Sequence, residues 1–367
     1  MQFLSGRQDM FHIAILGFGV IGKGVYEVIK NNRESIAKAL GGTGTEETIN
    51  IKYILDKLDF PDHPLGDRVT HVFEQILMDD SVSVVVETMG GADAAFRFSK
   101  AALEAKKSVV TSNKEVVDKY GDVLMRTAAE NGVSYLFEAS VGGGIPIIHP
   151  LKRCFYANQI TRIAGILNGT TNFILSKMSE GSMTLKEALA EAQRRGYAEA
   201  DPRADLEGYD SARKISILAS IIFDRYIPFE KVKVIEGITH VKQEDIALAD
   251  KLGFTIKLLA VAELVGGRAK LLVAPHLVEK CTLLSAVNDV YNAISVTGTA
   301  VGEVVFYGQG AGSLPTASAV VNDVIEVLGE HPKAKCCAPA DDGFLLPPDA
   351  FDDKKITLPN GSVYRVL

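Results

Sequence analysis

Residues 192–214, AQRRGYAEADPRADLEGYDSARK, set Glu199, Asp201, Asp205, Glu207 and Asp210 around Gly196, Pro202 and Gly208, then enter an apolar segment carrying Lys214. Two kinds of chemistry fit such a stretch. One is a solvated acidic loop ahead of a helix N-terminus, where carboxylates are favoured. The other is a ring of acids around a cationic ligand. The apolar residues Ile215, Leu218, Ala219 and Ile222 recur at helical spacing, so Asp210 and Lys214 stand one turn apart on one flank, at the border of the buried stripe. A lysine placed there is either the cation of a salt bridge or a proton donor aimed at a substrate. Spacing alone leaves both open.

The elements that must position these residues begin at the N-terminus. Residues 12–16 (HIAIL) read as a buried strand, followed at once by Gly17, Phe18, Gly19, Val20, Ile21 and Gly22 and then a helical segment over 23–30. Strand, G-x-G-x-x-G and helix in this order make a dinucleotide-binding turn. Its glycines permit a tight bend and close approach of backbone to pyrophosphate, and the helix N-terminus offers N–H donors. A second strand at 49–55 ends in Asp56 and Lys57, after a stretch at 41–48 (GGTGTEET) that reads as an exposed loop. Asp56 suits the ribose hydroxyls of NAD, while Lys57 suits the 2′-phosphate of NADP, so both cofactors stay open.

Strands at 83–86, 108–111 and 133–137, with helical segments at 94–105 and 123–131, continue the alternation. The pattern predicts an α/β fold with a doubly wound parallel sheet, in which ligands sit outside the carboxyl ends of the strands. Glu87-Thr88 and the loop Thr111-Ser112-Asn113-Lys114-Glu115 fall at such ends. Lys114 is either a site residue or a solvated loop lysine. Next comes Glu138-Ala139-Ser140-Val141-Gly142-Gly143-Gly144-Ile145-Pro146. Three bare glycines allow carbonyl oxygens to converge on a hard cation, or simply make a flexible crossover.

In this order the motifs resemble the homoserine dehydrogenase family. They are GFGVIG at 17–22, TSNKE at 111–115, FEASVGGGIPII at 137–148, GILNGTTNFIL at 165–175, the acidic segment ending at Lys214, and YGQGAGSLPTASAVVNDV at 307–324. The resemblance runs to about residue 330. It implies a Rossmann-type nucleotide domain and a second α+β substrate and dimerisation domain. The implied reaction is the reversible NAD(P)-dependent reduction of L-aspartate 4-semialdehyde to L-homoserine, on the route to threonine and methionine.

The resemblance also implies roles. Lys214 matches the proton donor, and Lys114 a second lysine near nicotinamide and substrate. Glu199 and Asp210 match substrate-binding acids, with Asp205 in the same shell. Asn168, Gly169 and Thr170 match a substrate-side loop. The cofactor set is Gly17 to Gly22 with Asp56, Lys57, Thr88, Lys114, Gly196 and Gly312, and Gly310 closes beside Gly312. The main-chain carbonyls of Glu138, Val141, Gly143 and Ile145 match a monovalent cation site for sodium or potassium. A homodimer that shares the second domain's sheet is implied as well. Charge agrees with these roles, since a substrate bearing an ammonium group suits a carboxylate-rich site, and an ammonium can stabilise and then protonate the oxygen that forms on hydride delivery.

Composition narrows the class further. With 39 Lys and Arg against 46 Asp and Glu, the 367-residue chain has a net charge of -7 and no basic field for nucleic acid. No apolar run reaches the ~18 residues of a membrane span, and the first eleven residues lack a signal-peptide core. A cytoplasmic enzyme is expected. Cys154, Cys281, Cys336 and Cys337 show no metal-ligand spacing, and Cys154 lacks the setting of the nucleophile that an aspartate-semialdehyde dehydrogenase would need. A nucleotide sensor without activity would predict loss of the lysine and acids, which are present.

The expected plan is a nucleotide domain over 1–139, a substrate domain over 140–307, a returning helix within 308–330 and a tail over 331–367. That tail is too short for a regulatory ACT domain of roughly 80 residues. Its Asn360-Gly361 is a hairpin signal between Ile356 and Val366. Cys336 and Cys337 are expected to be exposed, as reduced surface thiols in a reducing cytosol or as candidates for a crosslink between subunits.

Overall fold

The computed structural model describes residues 10–42, 48–181, 183–330 and 337–367. The chain divides into two compact units, Met1–Ser140 with Gly312–Cys336, and Val141–Ala311 with Cys337–Leu367.

The first unit opens with strand β1 (Phe11–Leu16), whose Ile13, Ala14, Ile15 and Leu16 are all fully buried. A strand covered on both faces is expected in a parallel sheet flanked by helices. Helix α1 (Val20–Asn31), β2 (Ile49–Leu55), β3 (Val69–Thr70), β4 (Val82–Glu87), α2 (Ala92–Glu104), β5 (Ser108–Thr111), α3 (Lys114–Asn131) and β6 (Tyr135–Leu136) follow. The sheet order is β3-β2-β1-β4-β5-β6, every pair parallel, which is the doubly wound dinucleotide-binding topology.

Two sequence expectations change here. Lys114 and Glu115 do not lie in a strand-end loop but open α3. Asn113 caps that helix, its Oδ1 accepting the N–H groups of Glu115 (3.1 Å) and Val116 (3.3 Å). The strand read at 133–137 shrinks to Tyr135–Leu136, because only Val109 and Val110 of β5 pair with it. The helix Ser313–Glu330 belongs to this unit and packs on α1. A Cβ at Gly24 would stand 2.8 Å from Ser313 Oγ and 3.0 Å from the Ala317 methyl, so glycine there permits the close helix contact. The loop expected at 41–48 falls mostly outside the described residues.

The second unit carries β7 (Ile160–Ile166), α4 (Gly169–Ser179), α5 (Leu185–Arg194), α6 (Tyr209–Ile222), β8 (Phe254–Val265), β9 (Arg268–Glu279), β10 (Tyr291–Gly298), β11 (Gly302–Gln309), β12 (Lys355–Thr357) and β13 (Val363–Val366). Its sheet runs β11-β10-β7-β8-β9-β13-β12, antiparallel except for β9 with β13 and a two-residue strand, Val234–Ile235, on β9. The tail hairpin forms around Asn360-Gly361, with Gly361 at φ 88°. Asp245 holds it, accepting Asn360 Nδ2 at 2.7 Å and the Tyr364 hydroxyl at 2.9 Å.

Cys337 is half-buried rather than exposed, its Sγ 3.4 Å from Asp224 Oδ1, and Cys336 lies outside the described residues. Among the described residues, no helix is long and apolar enough to cross a membrane.

Candidate active site

In the first unit the glycine loop is fixed by backbone geometry. Gly17 takes φ 87°, and a Cβ on Gly22 would stand 2.3 Å from the Gly17 carbonyl oxygen, so neither position tolerates a side chain. Gly19 differs, since a Cβ there would meet nothing within 4 Å, and no side chain caps the N-terminus of α1. Open space therefore lies beside uncapped N–H groups, the arrangement that receives a pyrophosphate. Val20 is exposed and Ile21 half-buried. Thr88 closes the loop from the end of β4, its hydroxyl donating to the carbonyls of Gly17 (2.7 Å) and Leu16 (3.2 Å).

Asp56 stands at the end of β2, half-exposed. Its Oδ2 accepts the Phe18 N–H at 2.7 Å and its Oδ1 the Leu58 N–H at 3.0 Å. Phe18 thus gives its N–H to Asp56 and buries its ring against Phe60 and His63, which leaves its side chain to the core. Lys57 is exposed and Lys114 half-buried at the first position of α3. Gly312, at φ 123°, precedes the helix Ser313–Glu330.

Glu87, placed by the sequence at a strand end, is a buried acid there. Glu87 is fully buried, accepting the Thr111 hydroxyl at 2.6 Å and the Met89 N–H at 2.7 Å. Burial raises its carboxyl to about 7, against those hydrogen bonds. The apolar run Val84, Val85 and Val86 hides it in the sequence, since a strand-final acid ordinarily turns to solvent.

The second unit gathers the acids and Lys214. Asn168 caps α4, its Oδ1 accepting the Thr171 N–H at 2.8 Å. The other end of the same amide donates to Asp205 Oδ1 at 2.7 Å and to Asp210 Oδ2 at 3.0 Å. Asp210 Oδ2 also meets Lys214 Nζ at 2.8 Å, and that ammonium donates to the Leu167 carbonyl at 2.7 Å. The Lys214 and Asp210 side chains are 12% and 8% exposed, so this pair is largely desolvated. Burial, and then the charge of Asp210, raise the Asp205 carboxyl above its ordinary range, while the bonds from Asn168 and Thr170 oppose the rise. Gly169 fits because a Cβ there would stand 2.8 Å from the Val290 carbonyl oxygen, and Thr170 donates to the Tyr197 carbonyl at 2.8 Å. Asp205, Asp210, Lys214 and the 168–170 turn therefore form one group. Glu199 is not joined to it. It is exposed on the loop after Gly196, where its carbonyl accepts Gln193 Nε2 at 3.1 Å.

The glycine run opens the second unit. Gly142 and Gly143 hold φ 77° and 56°, and the Gly142 carbonyl accepts the Ile145 N–H at 2.9 Å. Gly144 N–H bonds the Gln309 carbonyl at 3.0 Å, and a Cβ on Gly143 would stand 2.4 Å from the Gly310 oxygen, so the two glycine segments lie against each other. Val141 and Ile145 are buried here, and Glu138 is buried in the first unit.

Comparison with known proteins decides the family. The family model for homoserine dehydrogenase matches residues 146–325, and that for the homoserine dehydrogenase NAD binding domain matches residues 17–138. The chain belongs to the homoserine dehydrogenase family. A homoserine dehydrogenase from Synechocystis sp. is 45% identical over 323 residues, covering 86% of this chain and 73% of its own. The crystal structure of one from Thiobacillus denitrificans superposes with a TM-score of 0.86 at 37% identity, covering 94% of this chain and 81% of that one. A hyperthermophilic archaeal homoserine dehydrogenase in complex with NADPH gives 0.73 at 28% identity, covering 89% of this chain and all of that one. The chain is accordingly an NAD(P)-dependent oxidoreductase that interconverts L-aspartate 4-semialdehyde and L-homoserine in amino-acid biosynthesis.

Proposed function

We propose that Lys214 is the proton donor of this reaction and that Asp205 and Asp210, with Glu199 from the preceding loop, bind the ammonium group of the substrate. The supporting observation is the single amide of Asn168 reaching both acids while Lys214 pairs with one of them. Burial first, and then the charge of Asp210, raise Asp205, and an arriving ammonium offsets both. The nicotinamide, when bound, supplies or accepts the hydride at the substrate's aldehyde or alcohol carbon. Lys214 stabilises the charge that develops on the aldehyde oxygen and then transfers a proton to it, and in the reverse direction it takes that proton from the homoserine hydroxyl. Asp210 orients the lysine beforehand, and Lys114 is assigned as a second lysine of the reacting end.

The nucleotide is assigned to Gly17–Gly22, Thr88, Gly196 and Gly312, with Asp56 on the ribose for NAD and Lys57 toward the 2′-phosphate of NADP. The relative in complex with NADPH keeps the second cofactor in play. A sodium or potassium ion is assigned to the carbonyls of Glu138, Val141, Gly143 and Ile145. The positive φ angles at Gly142 and Gly143 and the prior engagement of the Gly142 carbonyl favour that choice of oxygens. A homodimer through the second unit's sheet completes the reading.

The test of the substrate assignment is Asp205→Asn, which keeps the shape of the side chain and removes its charge. The KM for homoserine should rise by roughly tenfold or more, because a ground-state contact is lost, with the KM for nucleotide unchanged. An unchanged homoserine KM would remove Asp205 from the site.

A further inference from the structure

Lys257, on β8, is 1% exposed, and an ammonium that deeply buried needs a reason. It donates to the Val287 carbonyl, to Asn288 Oδ1 at 3.1 Å and to Asn172 Oδ1 at 3.2 Å. Asn172, 2% exposed on α4, turns its Nδ2 to the same stretch of chain, reaching the carbonyls of Val287 (3.1 Å), Asp289 (3.0 Å) and Tyr291 (3.1 Å). One turn further along α4, Ser176 Oγ accepts the Asp289 N–H at 3.0 Å, and Lys177 pairs with the Asp289 carboxylate at 3.3 Å. Two helical turns and a strand thus hold residues 287–291, although nothing in the assigned chemistry uses them.

That segment is not relaxed. Asp289 holds φ 54°, a left-handed conformation that a non-glycine residue keeps only when its surroundings enforce it. The consequence of holding it falls on the next residue. The Val290 carbonyl oxygen lies against Gly169, close enough that a Cβ there would stand 2.8 Å from it. Gly169 directly follows Asn168, whose amide aligns Asp205 and Asp210. Burial lowers the Lys257 ammonium to about 8, with the Asp289 charge opposing, so keeping it charged costs the fold stability that an apolar side chain would not.

We propose that Lys257, together with Asn172, is a positioning residue of the active site, an internal cation that fixes residues 287–291 so that Val290 seats Gly169 and holds Asn168 in register with Asp205 and Asp210. The inference rests on the reading that this acid pair binds the substrate ammonium. Lys257 touches neither substrate nor nucleotide, and its effect is confined to homoserine binding.

The experiment compares Lys257→Met, Asn168→Ala and the double variant by steady-state kinetics, with homoserine and nucleotide varied separately. Lys257→Met should raise the KM for homoserine by roughly tenfold while kcat falls less and the KM for NAD(P) stays within about twofold, a split that general loosening of the fold would not give. Because Lys257 acts through Asn168, the double variant should show the homoserine KM of Asn168→Ala alone. Parallel rises for homoserine and nucleotide, no rise for either, or multiplied effects in the double variant would overturn the proposal. If Lys257→Met does not fold, Asn172→Ala, which keeps the ammonium and removes the amide from the same carbonyls, should give the same selective rise, and its absence overturns the proposal equally. An unchanged homoserine KM in Asn168→Ala would instead strike the acid-pair reading beneath it.

Discussion

Asn168 uses both ends of one amide, its oxygen capping α4 and its nitrogen bridging Asp205 and Asp210, so the helix start and the acid pair are fixed by the same side chain. Asp56 is also two-sided. It stands where an acid reads the adenosine ribose, yet its carboxylate already holds the Phe18 and Leu58 N–H groups. Asp56→Ala should therefore weaken both nucleotides through the loop and NAD additionally through the lost ribose contact, and parallel KM measurements with NAD and NADP separate the two. Equal losses would leave Asp56 as a clamp alone. Much at this scale was legible in the sequence, since glycine spacing and the Asp210-Lys214 interval are local facts. Asn168's reach to Asp205 and Asp210, 37 and 42 residues onward, is a tertiary fact that spacing does not carry. The cage of Lys257 is hidden for the same reason, because a lone lysine in an apolar strand pattern reads as an edge residue.

Among the elements, the strands of the parallel sheet were the most legible, because hydrophobic runs such as INIKYIL and SVVT have strong turn signals at their ends. The start of α3 was not. A strand-end loop and a helix N-cap share the same polar residues at 111–115, and only the bonds that Asn113 accepts decide between them. Glu87, at the end of β4, supplies a test of the first unit's electrostatics. Its folded value of about 7 lies above the ordinary 4.5, so the folded protein binds the proton more tightly than the unfolded chain does. Its stabilising share is complete below about pH 4.5 and is lost as pH rises through 7, amounting to a few kcal/mol at most. Glu87→Gln keeps the size and an acceptor for the Met89 N–H without titrating. Thermal melts from pH 5 to pH 8 should show the variant gaining on the wild type as pH rises, and a constant difference would mean that Glu87 ionises without cost.

For the whole molecule, the motif order revealed the family and both fold classes, while the exact bounds of the two units needed coordinates. The assigned cation is tested on the whole enzyme. Turnover should depend on sodium or potassium and fall when choline replaces them at constant ionic strength, and equal rates in choline would remove the ion from the account. Turnover also reports on Lys214, whose ammonium, held by Asp210 and the Leu167 carbonyl, is proposed to protonate the substrate oxygen. The direct measurement is kcat for Lys214→Met in both directions, with nucleotide binding followed on the same protein. Lys214→Met should lose roughly 10²–10⁴-fold, the usual contribution of a general acid, with nucleotide affinity retained, whereas a folded, nucleotide-binding variant within about threefold of wild type would take the proton transfer away from Lys214.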